Sequence, residues 1–118
     1  MDQGSLMMIY KIFRANEWTA FEAAGKTFGA PIDLEDGYIH ISTVAQVAET
    51  VSKYFANADG LKILALDSGE LGEALKWEPS RGGDLFPHLY RILCMDDISW
   101  AKPLPLGPDG HVFPDGVL

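Results

Sequence analysis

His40 stands in Gly37-Tyr38-Ile39-His40-Ile41-Ser42-Thr43, where a short strand runs into a helix. Alternation along a strand puts Tyr38, His40 and Ser42 on one face and Ile39 and Ile41 on the other. That polar face ends where the free backbone N–H groups of a helix start, with Ser42 and Thr43 beside them, a junction suited to an anionic or phosphorylated ligand. A second histidine repeats the pattern: if Phe86-Pro87-His88-Leu89-Tyr90 is extended, Phe86, His88 and Tyr90 share a face. Upstream, Trp77-Glu78-Pro79-Ser80-Arg81-Gly82-Gly83 supplies a carboxylate, Glu78, and a cation, Arg81, beside glycine backbone that a ligand can approach closely. Histidines can hold hydroxyls or move protons, and a carboxylate can stabilise positive charge or accept a proton. The spacing therefore predicts that His40 and His88, both partly accessible, meet in one cleft with Glu78. For each residue a structural role competes: a half-buried or capped core histidine, Arg81 paired with Asp84 or Glu78 in a turn, Glu78 as a surface acid.

The elements that must position these residues are short. Met8 to Phe13 reads as a first strand, Asn16 caps a short helix with Trp18, Phe21 and Ala24 on one stripe, and Gly25 stops it. From Thr27 to Gly37, glycines, Pro31 and the acids Asp33, Glu35 and Asp36 describe an ordered loop or short extended pieces rather than a regular element. The apolar positions Val44, Val47, Ala48, Val51, Tyr54 and Phe55 predict an amphipathic helix from about Thr43 to Phe55, with Thr43 and Gln46 spaced as a capping box and Glu49 and Lys53 as an exposed i,i+4 pair. Leu61 to Asp67 reads as a buried strand, Leu75 to Glu78 as a short one, and Met95 to Lys102 as a turn and a last strand. Pro87 cannot donate a ladder bond, which places its strand at an edge or a kink. Trp77 reads as core.

The whole is one α+β domain over residues 8–118, after a disordered start or expression remnant at residues 1–7 and with an irregular tail from about residue 103. Two helices with many short strands do not give the alternation of a doubly wound sheet. At 118 residues and 47% hydrophobic composition the chain supports one core. A formal charge of -8, with no lysine or arginine cluster, opposes nucleic acid as a partner. The single cysteine, Cys94, excludes an internal disulfide and a thiolate zinc site, and reads as a buried thiol. With no leader and no apolar run near 18 residues, the sequence points to the cytosol and away from membranes. There is no P-loop, dinucleotide fingerprint, nucleophile elbow or HExxH.

The three motifs around His40, Trp77–Gly83 and Phe86–Tyr90 together resemble the small bacterial proteins of domain of unknown function 952, over about Met8 to Lys102. That family is grouped by fold with the ADP-ribosyltransferases. The resemblance implies two small, mostly antiparallel sheets splayed around a cleft for NAD or ADP-ribose, with His40 anchoring a ribose and His88 or Tyr90 near the nicotinamide. It also calls for a glutamate on a strand after Tyr90. No glutamate follows Tyr90 here, and Asp96 and Asp97, the next acids, lie in the expected turn, so Glu78 would have to be recruited from elsewhere.

The expected function is binding, with cleavage or transfer, of an NAD-derived or other phosphorylated small molecule. His40, His88 and Glu78 are the catalytic candidates; Tyr38, Ser42, Thr43, Arg81 and Tyr90 are the ligand-binding ones. No metal is expected. A protein-interaction domain displaying Trp18, Trp77 and Trp100 is one alternative, and a metal-dependent hydrolase using His40, His88 and a carboxylate is another.

Overall fold

The computed structural model describes residues 7–118, the side chain of Arg81 excepted, so the expected disordered start lies almost wholly outside the described residues. In chain order the elements are β1 (Met8–Phe13), α1 (Ala15–Ala24), β2 (Lys26–Thr27), α2 (Pro31–Asp36), β3 (Ile39–His40), β4 (Ser42–Thr43) and α3 (Val44–Tyr54). Then follow β5 (Leu61–Asp67), β6 (Leu75–Pro79), β7 (Leu85–Leu89), β8 (Leu93–Cys94), β9 (Ile98–Leu104), β10 (Leu106–Gly107) and β11 (Gly110–His111), with 3-10 turns at Ser68–Glu70, Gly72–Ala74, Arg81–Gly83 and Met95–Asp97.

The class is α+β, with every strand pairing antiparallel. The principal sheet has the order β4-β1-β5-β9 and the second has β3-β7-β6. Two further pairs, β2-β8 and β10-β11, bring the described sheets to four rather than two.

Both faces of the principal sheet are covered. On one, Ile9, Phe13, Leu64 and Leu66 pack with Phe21 of α1 and with Ile39 and Leu89 of the second sheet. On the other, Tyr10, Ile12, Ile63 and Ala65 meet Val47 and Val51 of α3 and Val117 of the tail. A strand sandwiched in this way loses the apolar-polar alternation of a half-buried one. β1 is accordingly buried from Ile9 through Phe13, Lys11 included.

Several expectations need correction. The stretch expected as a loop from Thr27 to Gly37 contains a third helix, α2, which uses Pro31 at its first turn, where a missing N–H does no harm. Helix α1 starts after Arg14, not at an Asn16 cap. The tail is less irregular than its composition suggests, since β9 runs to Leu104 and β10-β11 forms a hairpin. Trp77 is 40% exposed rather than core.

Pro87 lies on the central strand of the second sheet, not at an edge. The register His40 opposite His88 sets Ile41 opposite Pro87, and Ile41 N–H donates to the Pro87 carbonyl at 3.1 Å. Proline cannot return the second bond of that pair. At this point the chain leaves the second sheet: Ser42 and Thr43 pair with Tyr10 and Ile9 of β1 instead. One expected strand is thus two, and the sheets part immediately after His40.

Candidate functional site

The parting of the sheets opens a cleft of about 610 Å³. It is lined from β1 (Tyr10, Lys11, Ile12), α2 (Pro31, Ile32, Asp36), α3 (Thr50, Tyr54) and the second sheet (His40, Phe86, His88), and by Ser42, Arg14 and Ser80 among others. His40 and His88 face one another across β3 and β7, with ring centroids 5.5 Å apart. Alternation on two strands, as read from the sequence, brings them together.

Each histidine is held by a carboxylate. Asp33 is buried in α2 and accepts four bonds: Lys11 Nζ (2.7 Å) and Ala30 N–H (2.7 Å) on Oδ2, His40 N–H (2.9 Å) and His40 Nδ1 (2.6 Å) on Oδ1. Lys11, itself buried, also donates to the His40 carbonyl at 2.9 Å. Burial pushes the Asp33 carboxyl up, but the hydrogen bond from His40 and the Lys11 charge outweigh it and hold the group below its ordinary value. Gly29 makes room for this arrangement: its backbone is left-handed, and a Cβ there would overlap the Asp33 carboxylate. The outer nitrogen of His40, Nε2, lies 3.0 Å from Asp36 at the surface.

The second pair is built differently. His88 is 2% exposed, a correction to its expected accessibility, and its Nδ1 lies 2.8 Å from Glu78 Oε1. The Tyr90 hydroxyl donates to the same oxygen at 2.7 Å. These bonds hold the Glu78 carboxyl below its ordinary value, and the bond to Glu78 pushes the Tyr90 phenol up to about 12. Tyr38 covers both imidazoles, stacked on His88 at 4.2 Å and tilted against His40 at 4.7 Å. Burial raises its phenol, and the charges of Asp36, Glu78 and Asp33 raise it further.

Of the residues singled out in the sequence, His40, His88 and Ser42 line the cleft, while Tyr38, Tyr90 and Glu78 stand around the two histidines without lining it. The Ser42 hydroxyl shares a 3.0 Å hydrogen bond with Thr50. Thr43 is the N-cap residue of α3, its N–H donating to Gln46 Oε1 at 3.0 Å, and it does not line the cleft. The Arg81 side chain lies outside the described part. Sequence reasoning missed Asp33 and Lys11. A lysine inside the apolar run Met8–Phe13 was the available signal, because a buried ammonium requires a buried acid. Asp97, expected as a turn residue, forms a two-pronged pair with Arg91 at 2.9 and 3.0 Å.

An antiparallel α+β protein with a two-histidine cleft is the class that fold and site define. The chain belongs to the family described as proteins of unknown function (DUF952), whose model matches residues 12–101. It is similar to the crystal structure of protein CC0527 from Caulobacter crescentus, with 45% identity and a TM-score of 0.84, covering 89% of this chain and 92% of that one. The solution structure of CC0527 matches with 45% identity and a TM-score of 0.79, over 88% of this chain and 90% of that one. No curated protein matches the chain. Among the described residues no helix is long and apolar enough to cross a membrane.

Proposed function

We propose that the cleft binds an NAD-derived or other phosphorylated small molecule in the cytosol, with ribose hydroxyls at His40 and His88, and acts on the bond at the ribosyl carbon. One observation carries this reading: two histidines from different motifs form a cross-strand pair lining a cleft of about 610 Å³, within the usual range for a small-molecule site. The fold-level likeness to ADP-ribosyltransferases belongs to the same reading, because the sheets diverge directly after His40, where such a ligand would enter. Glu78 supplies the carboxylate, from β6 rather than from a strand after Tyr90. Its contact with His88 Nδ1 orients the ring and leaves Nε2 to meet a hydroxyl or water, the arrangement of a general base.

Thermal unfolding with NAD and with ADP-ribose tests the proposal. At 1 mM, a site with a dissociation constant of about 0.1 mM adds about 1.4 kcal/mol to the wild type. His40→Ala should lose that gain. If neither nucleotide stabilises the wild type, the reading is wrong.

A further inference from the structure

Whatever the cleft binds, we infer that β6 pairs with β6 of a second copy of this chain, antiparallel about a two-fold axis at Trp77. Two three-stranded sheets then join into one of six strands.

β6 is an edge of the second sheet, since the order β3-β7-β6 leaves its outer side open. The direction of its backbone groups follows from two bonds to the neighbouring chain: Tyr90 N–H donates to the Ala74 carbonyl at 2.8 Å, and Ser80 N–H to the Asp84 carbonyl at 2.9 Å. Both bonds continue the β6-β7 register, which sets Leu75 opposite Leu89 and Pro79 opposite Leu85. Bonding alternates along an antiparallel strand. Ala74, Lys76, Glu78 and Ser80 therefore turn N–H and C=O toward β7, and Leu75, Trp77 and Pro79 turn theirs outward. The Leu75 N–H is already given to the Gly72 carbonyl, and Pro79 has none. Among the described residues, Trp77 carries the one free N–H of this edge.

Three antiparallel registers let the Trp77 N–H of each copy find a carbonyl on the other, that of Leu75, of Trp77 or of Pro79. The side chains decide among them. The first register sets Lys76 against Lys76 and the third sets Glu78 against Glu78, like charges directly opposite, whereas the second sets Lys76 against Glu78 in both directions. In that register the two Trp77 residues exchange both backbone bonds. Lys76 and Glu78 then meet at non-hydrogen-bonded positions, where side chains approach most closely.

The side chains are placed to make these contacts. Lys76 is exposed and gives up no more than a 3.4 Å contact with the Glu73 carbonyl. Glu78 is the acid that holds His88 and Tyr90, so the second copy brings a cation to the site. Trp77, exposed in a single copy, faces its own image. A hollow of about 320 Å³ beside Leu75 and Trp77 offers the facing indoles a place out of water. A net charge of -8 on each copy and a contact of one short strand oppose the pairing, so the dimer is weak.

Sedimentation of the full chain tests this. Wild type should pass from monomer to dimer between about 10 µM and about 1 mM, the range of a weak interface. Lys76→Glu sets acid against acid and Glu78→Lys sets amine against amine, so each should weaken self-association about 10-fold or more. An equimolar mixture of the two variants restores both opposite-charge pairs and should form a heterodimer at least about 10-fold tighter than either variant with itself. Thermal melting shows whether each variant is folded. If one is not, cross-linking decides: with Cys94→Ala, Trp77→Cys should oxidise to a disulfide dimer, because residues facing one another in a hydrogen-bonded pair stand about 5.5 Å apart, and Pro79→Cys should not. A wild type that stays monomeric at about 1 mM, as it would if this edge served a strand of another protein, overturns the inference. So does a dimer indifferent to both charge reversals, an absence of gain on mixing, or equal cross-linking from positions 77 and 79.

Discussion

The two acid-histidine pairs are inversions of one another. In the first the acid is hidden and the histidine accessible: the Asp33 side chain is fully buried and that of His40 is 32% exposed. In the second the histidine is hidden and the acid accessible, with side-chain exposures of 2% for His88 and 36% for Glu78. A buried acid must be neutralised within the protein, which is why Lys11 accompanies Asp33 on a strand enclosed on both faces. An acid at the surface needs no such counter-charge, and within its own chain Glu78 serves only to orient a ring and a phenol. The fold thus depends on the first pair, whereas the second can be altered with little structural consequence.

The largest expected effect follows from that asymmetry. Asp33→Ala leaves the Lys11 ammonium buried without its partner and should destabilise the protein by about 3–5 kcal/mol in denaturant unfolding. The double variant Lys11→Met with Asp33→Leu should recover most of the loss; if it does not, the pair has a role beyond mutual neutralisation. Glu78→Gln should shift melting no more than an ordinary surface substitution does.

A pH series sharpens the contrast. The Asp33 carboxyl is depressed on folding, so its stabilisation is present above the unfolded carboxyl range and lost as pH falls through the folded value. The difference in unfolding free energy between wild type and Asp33→Asn should be flat above about pH 5 and narrow below about pH 4. A difference that persists into strong acid would mean that Asp33 is not ionised in the folded state.

The smallest effect is spectroscopic. Tyr90 should ionise near 12 in an ultraviolet titration, because its hydroxyl donates to Glu78. In Glu78→Gln the phenol should return toward about 10 with the fold intact. An unchanged Tyr90 titration would show that Glu78 is not its partner in solution.

Much of the second pair was legible in the sequence. Two-residue alternation was enough to set His40 and His88 on polar strand faces, and the glycine, proline and arginine content of Glu78–Gly83 marked the loop beside them. The first pair was hidden by its context. Asp33 lies in a stretch whose glycines, proline and acids read as loop, and a six-residue helix gives too few turns for periodicity to reveal it. Lys11 lies in a run whose apolar neighbours hinted at burial, but nothing local shows that a sheet will be covered on both faces. The reading of Pro87 failed for a related reason: a missing N–H can be accommodated on a central strand where the neighbouring strand ends, and that end is set by tertiary structure.

The fork at Ile41 also fixes when the cleft can exist. β4 pairs with β1, made earlier in the chain, but β3 pairs with β7, and 47 residues separate His40 from its partner His88. Closing so long a loop before its contacts are gained is entropically costly, so this pairing belongs among the slow, non-local steps of folding. A nascent chain that has reached α3 already contains Lys11, Asp33 and His40, yet has nothing to set against the open side of β3. Whatever the cleft does begins only after β7 has left the ribosome, so an incomplete chain cannot bind ahead of the finished protein.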